Sequence, residues 1–281
     1  MTSSEPETAR SQKDAVGGVF DRAAEGYDAG PIDFFGPAGR DLVDHADPRP
    51  GEQVLDVGAG KGASAVPAAE QVGPGGRVVA IDLAPGMVAE LAARAEASGL
   101  TNLVAEVGDA EDPPGERGTF DLVQSGLCLF FLPQLDVALA RYHALLRPGG
   151  RLAFSWFGDD DARWESVYVE LAADVPVDER RSRRPGGGPF SSVAALEDAI
   201  RRAGFADVGT HEVRMEVAVP DGATWWDEQW THGRRAQLER LDQLGVLDST
   251  RERVVAAVDA LREPDGTLAW RPTLRHKVAV A

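Results

Sequence analysis

The chain has 281 residues, 43% of them hydrophobic, and a formal net charge of −17. A polyanionic partner needs a basic face from which to release counterions, so this acidity argues against a nucleic-acid or anionic-membrane ligand. Cys128 is the only cysteine, Met1–Arg10 lacks the basic start and apolar core of a leader, and no run approaches the ~18 apolar residues of a membrane span; a disulfide is excluded and the cytoplasm is the expected compartment.

Residues 1–12 are polar and charged, and are expected to form a disordered tail. From Lys13, the residues Val16, Val19, Phe20, Ala23, Ala24 and Tyr27 recur at helical spacing and predict an amphipathic opening helix. Ile32, Phe34 and Phe35 follow between Pro31 and Pro37, aromatics that either wall a pocket or join the core. A second helix, Ala38 to Ala46, completes a cap over 13–47 and leads into the turn Pro48-Arg49-Pro50-Gly51.

Residues 53–62, Gln-Val-Leu-Asp-Val-Gly-Ala-Gly-Lys-Gly, read as strand, glycine turn and the start of a helix that continues through Ala63–Ala69. Asp56 at the strand tip would repel a pyrophosphate and favours a cation instead. The spacing of Gly58, Gly60 and Gly62 also departs from G-x-G-x-x-G, and Leu55 stands where a phosphate loop has its first glycine. A ligand with ribose, adenine and ammonium but no phosphate fits. Val54-Leu55-Asp56-Val57-Gly58-Ala59-Gly60 resembles the first motif of the class I S-adenosylmethionine-dependent methyltransferases, and the resemblance implies S-adenosyl-L-methionine as cofactor and S-adenosyl-L-homocysteine as product.

The following strands repeat the pattern. Arg77–Asp82 ends in an acid placed roughly 20 residues beyond the glycine turn to bind both ribose hydroxyls. Leu83 and Met87 follow as apolar cover for the adenine, and Leu103–Val107 leads to Asp109 and Ala110. The resemblance gives Asp109 the adenine amino group, Ala110 a backbone contact, and Ser125 and Gly126, at the tip of Phe120–Gly126, the methionine portion. The segment from Phe20 to Tyr27-Asp28 resembles the N-terminal helix of quinone-type methyltransferases, which implies that Tyr27 lies near the methionine end.

The chain departs from many small-molecule relatives in reading Leu127-Cys128-Leu129-Phe130-Phe131 where they carry a histidine pair. Without a partner, Cys128 is read as a small hydrophobe. Trp156 and Phe157 end the strand that follows Arg147-Pro148-Gly149-Gly150 and are expected to face the ligand crevice, while mid-helix His143 is placed at the surface. Two helical insertions, about 161–190 and 223–263, form a lid. The first holds Arg180, Arg181, Arg183 and Arg184, either a grip for an anionic acceptor or a solvated loop. The second, expected as helices Thr224–Leu244 and Ser249–Arg262, holds Trp225, Trp226 and Trp230, which pack the insertion down or wall an acceptor pocket. His232 beside them is the candidate general base. The remaining histidines are dispersed in sequence, so no metal is expected.

The expected fold is an α/β, Rossmann-like seven-stranded mixed sheet whose last pair is antiparallel, Val208–Val219 with Gly266–Val280, in one domain over 13–281. The expected activity is in-line methyl transfer to a small, partly apolar metabolite, such as a specialised metabolite or quinone-like phenol. A carboxylate or peptide end is the lesser option. The rival is a cofactor-binding protein of the same fold that transfers no methyl, a cyclase or regulatory module.

Overall fold

The computed structural model describes residues 7–177, 179 and 188–281. The five parallel strands are joined by three helical connections and by one loop, between the third and fourth strands. Strands β1 (Gln53–Val57), β2 (Arg77–Asp82), β3 (Leu103–Val107), β4 (Phe120–Ser125) and β5 (Leu146–Phe157) alternate with helices α3 (Ala65–Val72), α4 (Pro85–Ala97) and α5 (Leu135–Leu145). Two helices, α1 (Glu7–Ala23) and α2 (Phe35–Ala46), precede the sheet. Helix α1 starts ahead of Lys13, so residues 7–12 are helical, contrary to the disordered tail expected there. Beyond β5 come α6 (Glu165–Ala172), α7 (Val193–Arg202), β6 (Ala206–Arg214), β7 (Val217–Ala218), α8 (Gly222–Glu228), α9 (Arg235–Gln243), α10 (Leu247–Asp259), β8 (Ala269–Trp270) and β9 (Thr273–Val280).

The main sheet runs β3-β2-β1-β4-β5-β9-β6. Its first five strands are parallel, and β9 lies antiparallel between β5 and β6. The chain moves outward from β1 to β3 and returns beside β1 as β4, so a crevice opens at the carboxyl ends of β1 and β4, where open α/β sheets bind ligands. The long terminal strands expected from alternation each break once. Residues 217–218 and 269–270 leave the sheet and pair separately as β7 and β8, at the foot of the lid.

Side-chain parity divides the core. Leu55, Val57, Val123, Leu152, Phe154 and Trp156 face α5 and α7, whereas Val54, Val78, Leu122 and Ala153 face α2, α3 and α4. A third core, of Trp164, Tyr168, Leu171, Trp225, Trp226, Leu238, Leu241, Val254 and Val258, belongs to α6, α8, α9 and α10. The expected single helix Thr224–Leu244 is interrupted: α8 ends at Glu228, and His232 is extended before α9 begins.

Candidate active site

Between β1 and α3 the backbone turns through Gly58 (φ 66°) and Gly60 (φ 52°), in the left-handed region where only glycine is unstrained. A Cβ on Gly58 would also stand 2.1 Å from the Cys128 sulfur, so the turn packs directly on the loop after β4. The amide of Gly60 donates to Asp82 Oδ2 at 2.8 Å and that of Ala84 to Asp82 Oδ1 at 2.9 Å. The carboxylate lines the cavity, and each of its oxygens can accept a further hydrogen bond. Burial pushes the Asp82 carboxyl above its ordinary range, and the two backbone donors oppose that shift.

A cavity of about 670 Å³ starts at this turn and extends under the lid. Its inner wall holds Gly58, Gly60, Asp82, Leu83, Met87, Asp109, Ala110 and Gly126, with Tyr27 over it; its outer wall holds Phe34, Phe35, Trp225 and His232. Ala59 lines a smaller adjoining recess with Ser64 and Ser155. These expected residues are therefore brought together. Tyr27 stacks on Phe35 with ring centroids 4.6 Å apart, and burial raises its hydroxyl pKa above the ordinary value, keeping the phenol protonated.

Asp56 and Ser125 do not reach the cavity. Even parity on β1 turns Asp56 toward α3, where it is fully buried; its Oδ2 accepts from Ser64 Oγ and from Gln124 Nε2, each at 2.7 Å. Burial lifts its carboxyl to about 6. Its Oδ1 and Gln124 Oε1 have no hydrogen-bond partner among the described residues. The ammonium contact expected of Asp56 is thus corrected to a layer behind the glycine turn. Ser125 Oγ donates instead to the carbonyl of Val57 at 2.8 Å.

Trp156, Trp226 and Trp230 are likewise corrected. Neighbouring residues of a strand face opposite ways, so when Phe157 lines the cavity and stacks on Phe34 at 5.8 Å, Trp156 turns to the α5–α7 side, packed on Phe154 and Phe190. Trp226 is 2% exposed inside the lid core, and Trp230 lies under the Arg235 guanidinium, 5.8 Å from its ring centroid. Residues missed in the sequence fill the outer wall: Phe20, Phe130, Phe131, Tyr168, Glu228, Arg234 and Trp270. The aromatic ones among them are signalled only by aromatic density, which core and pocket share, and Glu228 and Arg234 have no signal that separates them from solvated charges.

His232 is on the wall, but burial and the Arg234 charge lower its pKa to about 3, so the imidazole is neutral and weakly basic. Cys128 also lines the cavity, and burial pushes its thiol to about 12, which keeps it out of nucleophilic chemistry. The expected arginine cluster, Arg180 to Arg184, lies outside the described residues. His143 is not a free surface side chain; it packs edge-on against Phe205 with centroids 5.1 Å apart. Nor are the other histidines dispersed in space. His45, His211 and His276 come together, because β6 and β9 pair where α2 crosses them.

Residues 54–150 match the methyltransferase domain family. The chain is 37% identical to nocamycin O-methyltransferase of Saccharothrix syringae, over 80% of this chain and 84% of that one. It is 46% identical to aklanonic acid methyltransferase of a Streptomyces species, over 52% of this chain and 66% of that relative. The fold resembles that of a phosphoethanolamine N-methyltransferase of Haemonchus contortus solved with S-adenosylhomocysteine, at 19% identity and a TM-score of 0.53, covering 86% of this chain and 52% of that one.

Proposed function

The chain belongs to the class I S-adenosylmethionine-dependent methyltransferases, and we propose that it methylates an already ionised oxygen, in the first instance a carboxylate, on a small, partly apolar specialised metabolite. When bound, S-adenosylmethionine supplies a methyl group on a sulfonium that leaves without protonation. The donor set suits that group. Asp82 takes the ribose hydroxyls on its free lone pairs, Leu83, Met87 and Ala110 cover the adenine, and Asp109 accepts from the adenine amino group. Gly58, Gly60 and Gly126 let the backbone approach the methionine end, with Ala59 beside them and Tyr27 closing over it.

The choice of acceptor rests on the cavity wall itself: among the described residues His232 is the only imidazole on it, and burial with the Arg234 charge beside it depresses its basicity. An imidazole held neutral beside an arginine is a poor general base toward a phenol of pKa about 10. An acceptor that is ionised before it binds needs none, and positioning together with exclusion of water can then lower most of the barrier. Arg234, on the same wall and 4.9 Å over the Tyr168 ring, supplies a cation toward such an anion. Phe34, Phe35, Phe157 and Trp225 bracket the apolar body of the acceptor. The similarity to aklanonic acid methyltransferase supports the same reading.

The test follows release of S-adenosylhomocysteine with aklanonic acid and related free acids, their methyl esters, and phenols of similar size. Free acids are expected to turn over with kcat level from about pH 6 to 9, and the esters to be inert. Inert acids, with phenol turnover rising as the phenol ionises, would overturn the carboxylate assignment.

A further inference from the structure

Four side chains that play no part in the methyl-transfer site converge where α2 crosses the β9–β6 edge of the sheet. Asp41 and His45 are four residues apart on α2 and so share one helical face. His211 and His276 are directly paired across the antiparallel β6–β9 ladder, which places both side chains on the same side of the sheet. One ligating atom from each of Asp41, His45 and His276 lies within 4.8 Å of the others. The His45 ring stands 4.7 Å from that of His276 and 5.2 Å from that of His211.

The polar atoms in this cluster satisfy one another only in part, although the His45 and His276 rings stack. His276 is 0% exposed, yet neither of its ring nitrogens has a hydrogen bond among the described residues, and neither does the buried Oδ2 of Asp41. His276 Nε2 and Asp41 Oδ2 face one another at 2.6 Å without the alignment of a hydrogen bond. A fully buried imidazole with no partner at Nδ1 and an ill-aligned carboxylate at Nε2 is costly unless something else takes its lone pair. His45 is arranged differently. Its Nδ1 lies 2.8 Å from the Asp41 carbonyl oxygen, which can only accept, so Nδ1 carries the proton and Nε2 presents the lone pair. A backbone carbonyl that fixes the tautomer of an imidazole is the usual support of a metal-ligating histidine.

We propose that Asp41, His45 and His276 bind a divalent transition-metal ion of the zinc, cobalt and nickel class, with the His211 ring beside them. Two imidazoles and one carboxylate, with solvent completing the shell, form the borderline donor set of such ions, and the nitrogen majority disfavours magnesium and calcium. Asp41 and His45 are about a quarter exposed and His211 is exposed, so the ion can enter from solvent while His276 anchors it from within. The site joins the helix that follows Phe34 and Phe35 to the two terminal strands. Arg151 already braces the end of that helix by donating to the carbonyls of Ala46 and Asp47 at 3.0 and 2.9 Å. The metal therefore ties the acceptor-walling segment to the sheet and has no contact with the reacting atoms.

The experiment titrates the full chain, first stripped with a chelator, with zinc by calorimetry and with cobalt by visible absorption. One ion per chain, four-coordinate cobalt bands and a melting temperature that rises with zinc are expected. Asp41→Ala and His45→Ala should each weaken zinc binding on the order of tenfold or more, whereas His143→Ala on α5 should not. Both ligand variants change side chains that solvent reaches, and retained S-adenosylhomocysteine binding shows that they fold. Absence of 1:1 binding at micromolar zinc, or equal affinity in the wild type and the Asp41→Ala/His45→Ala double variant, would overturn the site.

Discussion

Asp56 and Asp82 are carboxylates on adjacent strands, and parity gives them different work. Asp82 faces the cavity with two backbone donors behind it, while Asp56 organises Ser64 and Gln124 beneath the turn. Replacing Asp82 by Ala would remove both proposed ribose contacts and the pins of the turn. At about 1.5–3 kcal/mol for each hydrogen bond to a charged group, S-adenosylmethionine affinity should fall roughly a hundredfold or more. Asp56→Asn should change it only severalfold, and calorimetry that reversed this order would restore Asp56 as a direct ligand. Asp56 has its own pH signature. Its folded pKa of about 6 exceeds the ordinary value of 3.8, so the folded state holds the proton more tightly than the unfolded chain. Stability from this group is present below about pH 4, declines as pH rises through about 6 and is level above, by up to ~3 kcal/mol. Urea unfolding of Asp56→Asn should lack that decline. A sequence shows that an acid ends a strand; it does not show which face the acid joins, and Trp156 against Phe157 was misread for the same reason.

At the scale of elements, α1 forms one side of the cavity through Val16, Gly17 and Phe20, and Lys13 fastens it. Lys13 Nζ lies 2.5 Å from Asp109 Oδ2 and 3.2 Å from Glu111 Oε2, so the carboxylate proposed to receive the adenine amino group is held by a cation from the covering helix. Adenine has to share or displace that contact. Lys13→Met should therefore loosen α1, seen as faster amide exchange over residues 7–20, and should tighten S-adenosylmethionine binding by up to about fivefold, the scale of an ion pair of roughly 1 kcal/mol. Unchanged exchange and affinity would mean that Lys13 neither fastens the helix nor competes. The helix itself was legible from its 3.6-residue period, as were β1 to β5 from their apolar runs and the turn from Gly58 and Gly60. The interruption at 229–234 carries one signal, Gly233, but a single glycine is tolerated inside a helix and so does not by itself mark a break.

Across the whole molecule, the two sheet cores and the lid core are distinct clusters, and the acceptor cavity lies where the lid meets the sheet. This division explains what sequence reading missed. The cofactor wall comes from successive βα turns and is written locally, whereas the acceptor wall and the Asp41–His276 cluster join residues that only the fold brings together. Periodicity reports which side chains are buried within an element but not which element covers them. The same division bears on dynamics, since a lid with its own core can open without unfolding the sheet. Trp226 is central to that lid core and does not touch the cavity. Truncation to Ala leaves a void worth about 3–5 kcal/mol, and the loss should concentrate in α6, α8, α9 and α10. Amide exchange should rise there and hold steady in β1 to β5, S-adenosylmethionine affinity should fall less than about tenfold, and turnover should be largely lost because the acceptor loses Trp225 and the shield against water. If exchange rose equally in the sheet and cofactor binding vanished with turnover, lid and sheet would be one cooperative unit, and the acceptor wall could not move independently of the cofactor wall.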